Sequence, residues 1–197
     1  MVTTPTDICN LALVKLGAET ITSLEDGTRN ATLCSRVYDL VRQEVLRAHP
    51  WNFAMKRINV TSSAPTPAFE WARGFTLPAD CLRFWRMYDL SVAYRLEGRR
   101  ILSDETSINI IYIYDNEDES TFDANFREAL ALKLASQLGY AVTGSSTPVQ
   151  LFNELYERVL KQAKMYDAQE NIAEHQDDSS WLMARTNSFN YNPGNLS

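Results

Sequence analysis

Two histidines, three cysteines and seven glycines are all that 197 residues hold of three chemically versatile types, and each shortage excludes something. His49 and His175 stand far apart and outside any HExxH or His/Cys cluster, so no zinc site is expected. His49 precedes a proline at a helix end, where a structural or dipole-compensating role is the ordinary one; His175 lies in a hydrophilic stretch and reads as solvated. Cys9, Cys34 and Cys81 are odd in number, widely spaced and free of any CxxC. They read as small buried apolar residues in a reducing compartment, not as a disulfide framework. The glycines are too scattered for a phosphate cradle, and no GxGxxG, GxxxxGK(S/T) or GxSxG occurs. No cofactor, metal or catalytic residue is expected, and the chain reads as something other than an enzyme.

Long apolar runs are also lacking. No stretch of 18 apolar residues occurs, so no membrane span is expected. Residues 1–7 carry neither a basic region nor an apolar core, so no signal peptide is expected either. The protein should be made and kept in the cytoplasm until something carries it elsewhere. Positive charge is in short supply: 19 basic against 25 acidic residues leave a formal charge of −6. That argues against gripping nucleic acid over a broad surface, which needs a positive patch. It allows DNA to pass without sticking, because an acidic wall repels phosphates.

What is present is core material. An apolar share of 45% against 22% charged is ordinary for a soluble chain. The length fits one domain, or one domain carrying an insertion. The pattern predicts an α+β fold with helical segments over 1–53 and 120–176. A β-rich insertion, an antiparallel sheet or sandwich over 54–119, separates them, and a C-terminal arm covers 177–197.

The first helix is expected after Thr4 as N-cap, with Pro5 at its first position and Asp7 in its first turn. Ile8, Leu11, Ala12 and Leu16 share one face, and Gly17 offers a stop. Thr28 or Asp26 can start the second helix, with Ala31, Cys34, Tyr38, Val41, Val45 and Ala48 as its apolar stripe. Arg42 falls on its polar side, and Pro50 makes His49 its last residue. β-prone runs follow at Met55 to Val60, Phe75 to Leu77, Leu82 to Tyr88, Ala93 to Glu97, Arg100 to Leu102 and Ile108 to Tyr114. Glu97-Gly98-Arg99 reads as a hairpin turn. The last run is apolar on both faces, so it is either a central strand covered twice or one covered by a neighbouring subunit. Phe122, Phe126, Leu130, Leu134 and Leu138 mark the most buried helix, and Gly139 to Thr147 a turn. Thr147-Pro148-Val149-Gln150 resembles a capping box. It opens a last helix lined by Phe152, Leu155, Tyr156, Val159, Leu160 and Ala163, reaching to about Glu174.

Beyond Gln176 the chain turns to Ser, Asn and Asp, yet carries Trp181, Leu182, Met183, Phe189 and Tyr191. A stretch without periodicity cannot bury these in a core of its own. It is either a frayed terminus or an arm that orders on a partner through aromatic anchors, and those five residues are the expected portion of a partner site. Three further groups invite a chemical reading. Glu25-Asp26 and the run Asp115 to Glu119 are the paired carboxylates a glycosidase would need, but nothing sets a carboxyl in an apolar pocket, and charged solvated loops explain them. Arg83, Trp85 and Arg86 beside Phe84 come nearest to a single-strand stacking platform, though a half-buried strand explains them equally. The basic turn Arg95 to Arg100 can face DNA or merely solvent.

Several short segments together resemble a known family. They are Ala12 to Gly17 (Ala-Leu-Val-Lys-Leu-Gly), Ile21, Ser23-Leu24, the Gly27-Thr28 helix start, Arg42 and Arg47. His49-Pro50-Trp51-Asn52-Phe53 and Leu77-Pro78-Ala79-Asp80-Cys81-Leu82 follow, then the strand Ile108 to Tyr114 leading into Phe126 and Ala131 to Leu138. In this order, over about residues 8 to 165, they resemble the tail tubular protein A or head-to-tail adaptor (connector) family of short-tailed phages. The resemblance implies that both ends of the chain, 1–53 and 120–176, build one helical bundle, and that the subunits form a twelve-fold homo-oligomeric ring in the neck of the virion. The portal protein would lie above it and a tail nozzle or tail tube protein below, with DNA passing transiently and non-specifically through the centre. It brings no shared catalytic residues. Other readings stay open: a different neck or tail assembly factor, or a peptidoglycan-degrading tail component.

Overall fold

A computed structural model describes residues 3–62 and 65–170, the last four through their backbone alone. Four helices and six strands are α1 (Pro5–Lys15), α2 (Arg29–Ala48), β1 (Met55–Thr61), β2 (Arg73–Thr76), β3 (Cys81–Met87), β4 (Arg95–Glu97), β5 (Arg100–Ser103), β6 (Ser107–Tyr114), α3 (Ala124–Thr143) and α4 (Thr147–Glu170). The fold is α+β, as the sequence predicts. No described helix is long and apolar enough to cross a membrane.

Local chemistry sets the helix starts. Thr4 and Asp7 form a reciprocal capping box around Pro5, with the Asp7 N–H donating to Thr4 Oγ1 at 3.2 Å and the Thr4 N–H donating back to Asp7 Oδ2 at 3.0 Å. Thr28 caps α2, and Asp26 in turn accepts from the Thr28 hydroxyl at 2.6 Å, so the two candidate starters act together. His49 lies just past α2, as its C-cap in extended geometry, the conformation a following proline favours. At the β4–β5 hairpin Glu97 pairs with Arg100, and Gly98 takes the left-handed φ of 57° that a two-residue turn demands.

Three expectations need correction. In α1 the buried residues are Ile8, Cys9, Ala12 and Leu13. Leu11 is exposed, because the face turned to the bundle runs through 9 and 13 as well as 8 and 12. Gly139 does not begin a turn: α3 continues to Thr143 and ends at Gly144 in left-handed geometry. α4 includes Thr147, one residue earlier than a capping box would place it, and the Thr147 N–H donates to Ser145 Oγ at 3.2 Å.

The strands form two three-stranded antiparallel sheets, ordered β1-β6-β3 and β2-β5-β4. β6 is the central strand of the first, and its two apolar faces are both covered within this chain. Ile108, Ile110 and Tyr112 join Phe75, Met87 and Ile101 in a core between the sheets. Ile113 points the other way, into the helical core with Trp51, Phe126 and Leu130. Of the two ways to cover this strand, the intramolecular one holds. α3 is the hub of the bundle and packs against α1, α2 and α4.

Candidate functional site

The five aromatic and apolar residues expected to bind a partner, Trp181, Leu182, Met183, Phe189 and Tyr191, lie outside the described residues, as does His175. The remaining candidates can be placed. Among the described residues no group of three or more His, Cys, Asp and Glu is arranged to hold a metal ion. His49 is buried, with its ring edge-on to Trp51 at 4.9 Å. The three cysteines are buried and free. The Cys9 thiol is held well above its ordinary range, first by a hydrogen bond with Cys34 and then by burial.

Most of the candidate carboxylates are engaged in structure. Asp26 ties the α2 cap together, and hydrogen bonds from the Thr28 hydroxyl and then the Thr28 N–H lower its pKa. Asp115 is not a solvated loop acid. It accepts from Arg42 at 2.5 Å and Gln43 at 2.7 Å, and it is 17% exposed. Arg42, expected on the polar side of α2, is only 2% exposed. Its guanidinium also donates to the Asn116 carbonyl at 2.6 Å and lies 3.6 Å from Asp39 and Glu117. The sequence could not show this, because an arginine at that helical position reads the same whether it meets water or a returning chain. Glu119 accepts from the Tyr38 hydroxyl at 3.2 Å; burial, then the Glu119 charge, drives that phenol far above its usual range. Glu25 is exposed.

The arginines of the insertion are largely spoken for. Arg99 turns inward and donates to the carbonyls of Pro78 at 2.5 Å, Cys81 at 3.2 Å and Ala79 at 3.3 Å. Arg95 lies 3.5 Å from Glu70 and 3.7 Å from Glu97. The basic turn is thus tied down within the protein, Arg99 reaching the segment that enters β3 of the other sheet. Arg83 stacks over Trp85 at 5.2 Å and donates to the Arg47 carbonyl at 3.1 Å, while Arg47 donates to the Leu82 carbonyl. Phe84 is not part of that stack; it packs edge-on against Tyr94 at 5.3 Å.

Several of the segments that carry the family resemblance meet at one seam, where the bundle meets the insertion. Trp51 is 1% exposed, donates its indole N–H to the Val45 carbonyl at 3.0 Å and meets Phe126 edge-on at 5.1 Å. Phe53 packs against Phe122 at 5.4 Å and Phe126 at 5.1 Å. Asp80, from the Leu-Pro-x-Asp segment, accepts from Lys56 at 2.7 Å and Tyr112 at 3.1 Å, and its carbonyl accepts from the Asp115 N–H at 2.8 Å. Burial opposes its ionisation, but the Lys56 and Tyr112 bonds outweigh that and hold the carboxyl below its ordinary pKa. Lys56 also sits 3.9 Å over the Tyr114 ring.

Part of the exposed surface is apolar. Leu11 and Val14 of α1 are 46% and 63% exposed, and they line a hollow of about 490 Å³ with Ala124 and Arg127 at the start of α3. Tyr88 and Leu90, after β3, are exposed as well. A second hollow, about 440 Å³, lies between residues 65–71 and the β4–β5 hairpin. Beside it the buried indole N–H of Trp71 has no hydrogen-bond partner among the described residues. The helical pattern places Leu11 on the buried face of α1; the signal that sets it and Val14 outside is their spacing away from Cys9 and Leu13. No family model matches this chain, and no curated protein matches it significantly.

Proposed function

We propose that this chain is a structural subunit of the neck of a short-tailed phage: a head-to-tail adaptor. Twelve copies would close into a ring between the portal protein and the tail nozzle or tail tube, around the channel through which DNA leaves. The subunit would be made in the host cytoplasm and end in the virion. The observation that carries the reading is the meeting of several of the resembling segments. Trp51 with Phe53, the Leu77 to Leu82 segment, Arg42 and Phe126 are far apart in sequence, yet all of them hold the same seam. A shared build requires the residues that join its two parts, and these are among those the resemblance retains.

Two further features support it. Exposed aliphatic and aromatic side chains on α1 and after β3 suit a subunit that meets neighbours, and head-to-tail contacts close into rings when the rotation allows. The acidic excess is also unevenly spread. Residues 54–114 hold eight of the 19 basic and six of the 25 acidic residues, so the surplus lies outside the β strands. Acidic surface lets phosphates slide past.

Co-expression with the portal of the same phage, followed by mass measurement, tests the reading. The expected product is a portal ring carrying twelve copies of this chain. Deleting Trp181 to Ser197 should leave a folded protein that no longer joins the portal; unchanged assembly would refute the role of those residues. A chain that binds during assembly but is missing from finished particles would instead be another neck or tail assembly factor.

A further inference from the structure

The hollow between α1 and the first turns of α3 is an open, largely apolar surface of the bundle. Leu11 and Val14 stand side by side at helical spacing, with about half of Leu11 and more of Val14 left uncovered by the described residues. Thr3, Asp7 and Asn10 continue the same strip of α1, and Ala124, Arg127 and Glu128 form the opposite wall. The strip is held rigidly across α3. Arg127 donates to Thr3 Oγ1 at 2.8 Å near one end, and Lys15 pairs with Glu128 at 2.7 Å near the other. Uncovered aliphatic side chains on a fixed concave surface lower the free energy of whatever apolar group reaches them.

The geometry of α4 decides which group that is. α3 and α4 run antiparallel: the Ser136 hydroxyl donates to the Val149 carbonyl at 3.1 Å, and Lys133 lies 4.9 Å over the Tyr156 ring. From the Tyr156 level α4 continues 14 residues to Glu170, about 21 Å, while α3 has only nine residues, about 13 Å, back to Ala124. α4 therefore passes the start of α3 by roughly 7 Å and delivers the chain at the end of the bundle where the hollow lies. Allowing ~10 Å between packed helix axes, residue 170 and the hollow are separated by roughly 15–20 Å. Trp181 follows 11 residues later, a reach of up to ~36 Å when extended. Leu182 and Met183 come directly after it.

We propose that residues 181–183, Trp181-Leu182-Met183, dock on Leu11 and Val14 of their own chain, in the α1–α3 hollow. The aromatic segment is thereby kept against the body of the free subunit instead of standing open to water. Intramolecular docking is favoured over capture of a neighbour's segment because a tether this short holds the anchor at millimolar effective concentration. The inference goes beyond the adaptor reading and stands without it, since it concerns the free chain and needs no portal.

Limited trypsin digestion of the full chain, read by mass spectrometry, tests it. Arg185 lies two residues beyond the docked anchors, so its cleavage should be slow. Leu11→Asp with Val14→Asp should speed cleavage at Arg185 about tenfold or more while leaving cleavage at Arg158 unchanged, because proteolysis follows the population of the open form. Both positions are exposed, and circular dichroism checks that the body stays folded. Trp181→Ala, which leaves the described body untouched, should produce the same acceleration, and combining the changes should add little. Arg185 cleaved in the native chain as fast as in a free peptide of residues 171–197 would overturn the proposal, as would indifference to both sets of substitutions. Protection that vanishes on dilution, alongside a dimer that vanishes with it, would give the hollow to a second copy and also overturn it.

Discussion

Arg42 carries more of the seam than its position on α2 announces. A guanidinium 2% exposed, bonded to Asp115 at 2.5 Å and to the Asn116 carbonyl at 2.6 Å, ties the second helix to the chain leaving β6. Removing one partner of such a pair leaves the other buried and unmatched, and that, more than the lost attraction, is the cost. Arg42→Ala should therefore destabilise the protein by about 3–5 kcal/mol in urea unfolding. Arg42→Met combined with Asp115→Asn should recover part of that loss. A loss below ~1 kcal/mol for Arg42→Ala would mean that water replaces the guanidinium freely. Asp80 gives the matching pH effect. Its folded pKa is lowered by Lys56 and Tyr112 against the opposing effect of burial, so its contribution is present above the ordinary carboxylate pKa of about 3.9 and is lost as the pH falls through the lowered value. Asp80→Asn should thus be less stable than the native chain at pH 6, with the gap narrowing below about pH 4. A gap that widens in acid would contradict the assignment. Neither partnership was legible in the sequence, which gives residue types and spacing but not which loop returns to which helix.

At the level of elements, most of the build could be read in advance. Each of the six β-prone runs became a strand, and the stripes of α2, α3 and α4 face inward nearly as spaced. Alternation and 3.6-residue periodicity are strong signals when a whole face is buried. α1 was misread because its apolar residues nearly encircle it, so periodicity alone could not choose between Leu11 and Leu13. Gly139 was misread for a different reason: as a breaker it ends helices, but here it admits one. A Cβ on Gly139 would stand 3.2 Å from the Val149 side chain and 3.3 Å from its backbone nitrogen, so its smallness lets α4 lie close to α3. Against that stands the helix propensity that leucine would gain over glycine, somewhat under about 1 kcal/mol. Gly139→Leu should still be net destabilising, by roughly 1–3 kcal/mol of overpacking strain, because the contact is with backbone as well as a side chain. A thermal melt showing Gly139→Leu more stable than the native chain would mean that α4 moves aside without cost.

Across the whole molecule, β6 is shared property. Ile108, Ile110 and Tyr112 belong to the core between the sheets, while Ile113, on the same strand, belongs to the bundle. Insertion and bundle thus meet through one strand's two faces, not only through a linker, and the division at residues 53 and 119 drawn from composition is a change of texture that the packing crosses. A consequence follows for cooperativity. Ile113→Ala removes a side chain that is 0% exposed from the helical core and should cost about 2–5 kcal/mol, the usual penalty for such a truncation. If β6 couples the two parts into one folding unit, hydrogen exchange in β5, which never touches Ile113's core, should accelerate by the same factor as exchange in the middle of α3. If the insertion opened independently, α3 would lose protection and β5 would keep its own. Peptide-resolved exchange on the native chain and the Ile113→Ala variant separates these outcomes. Equal loss in both is the result expected of a strand that serves two cores at once.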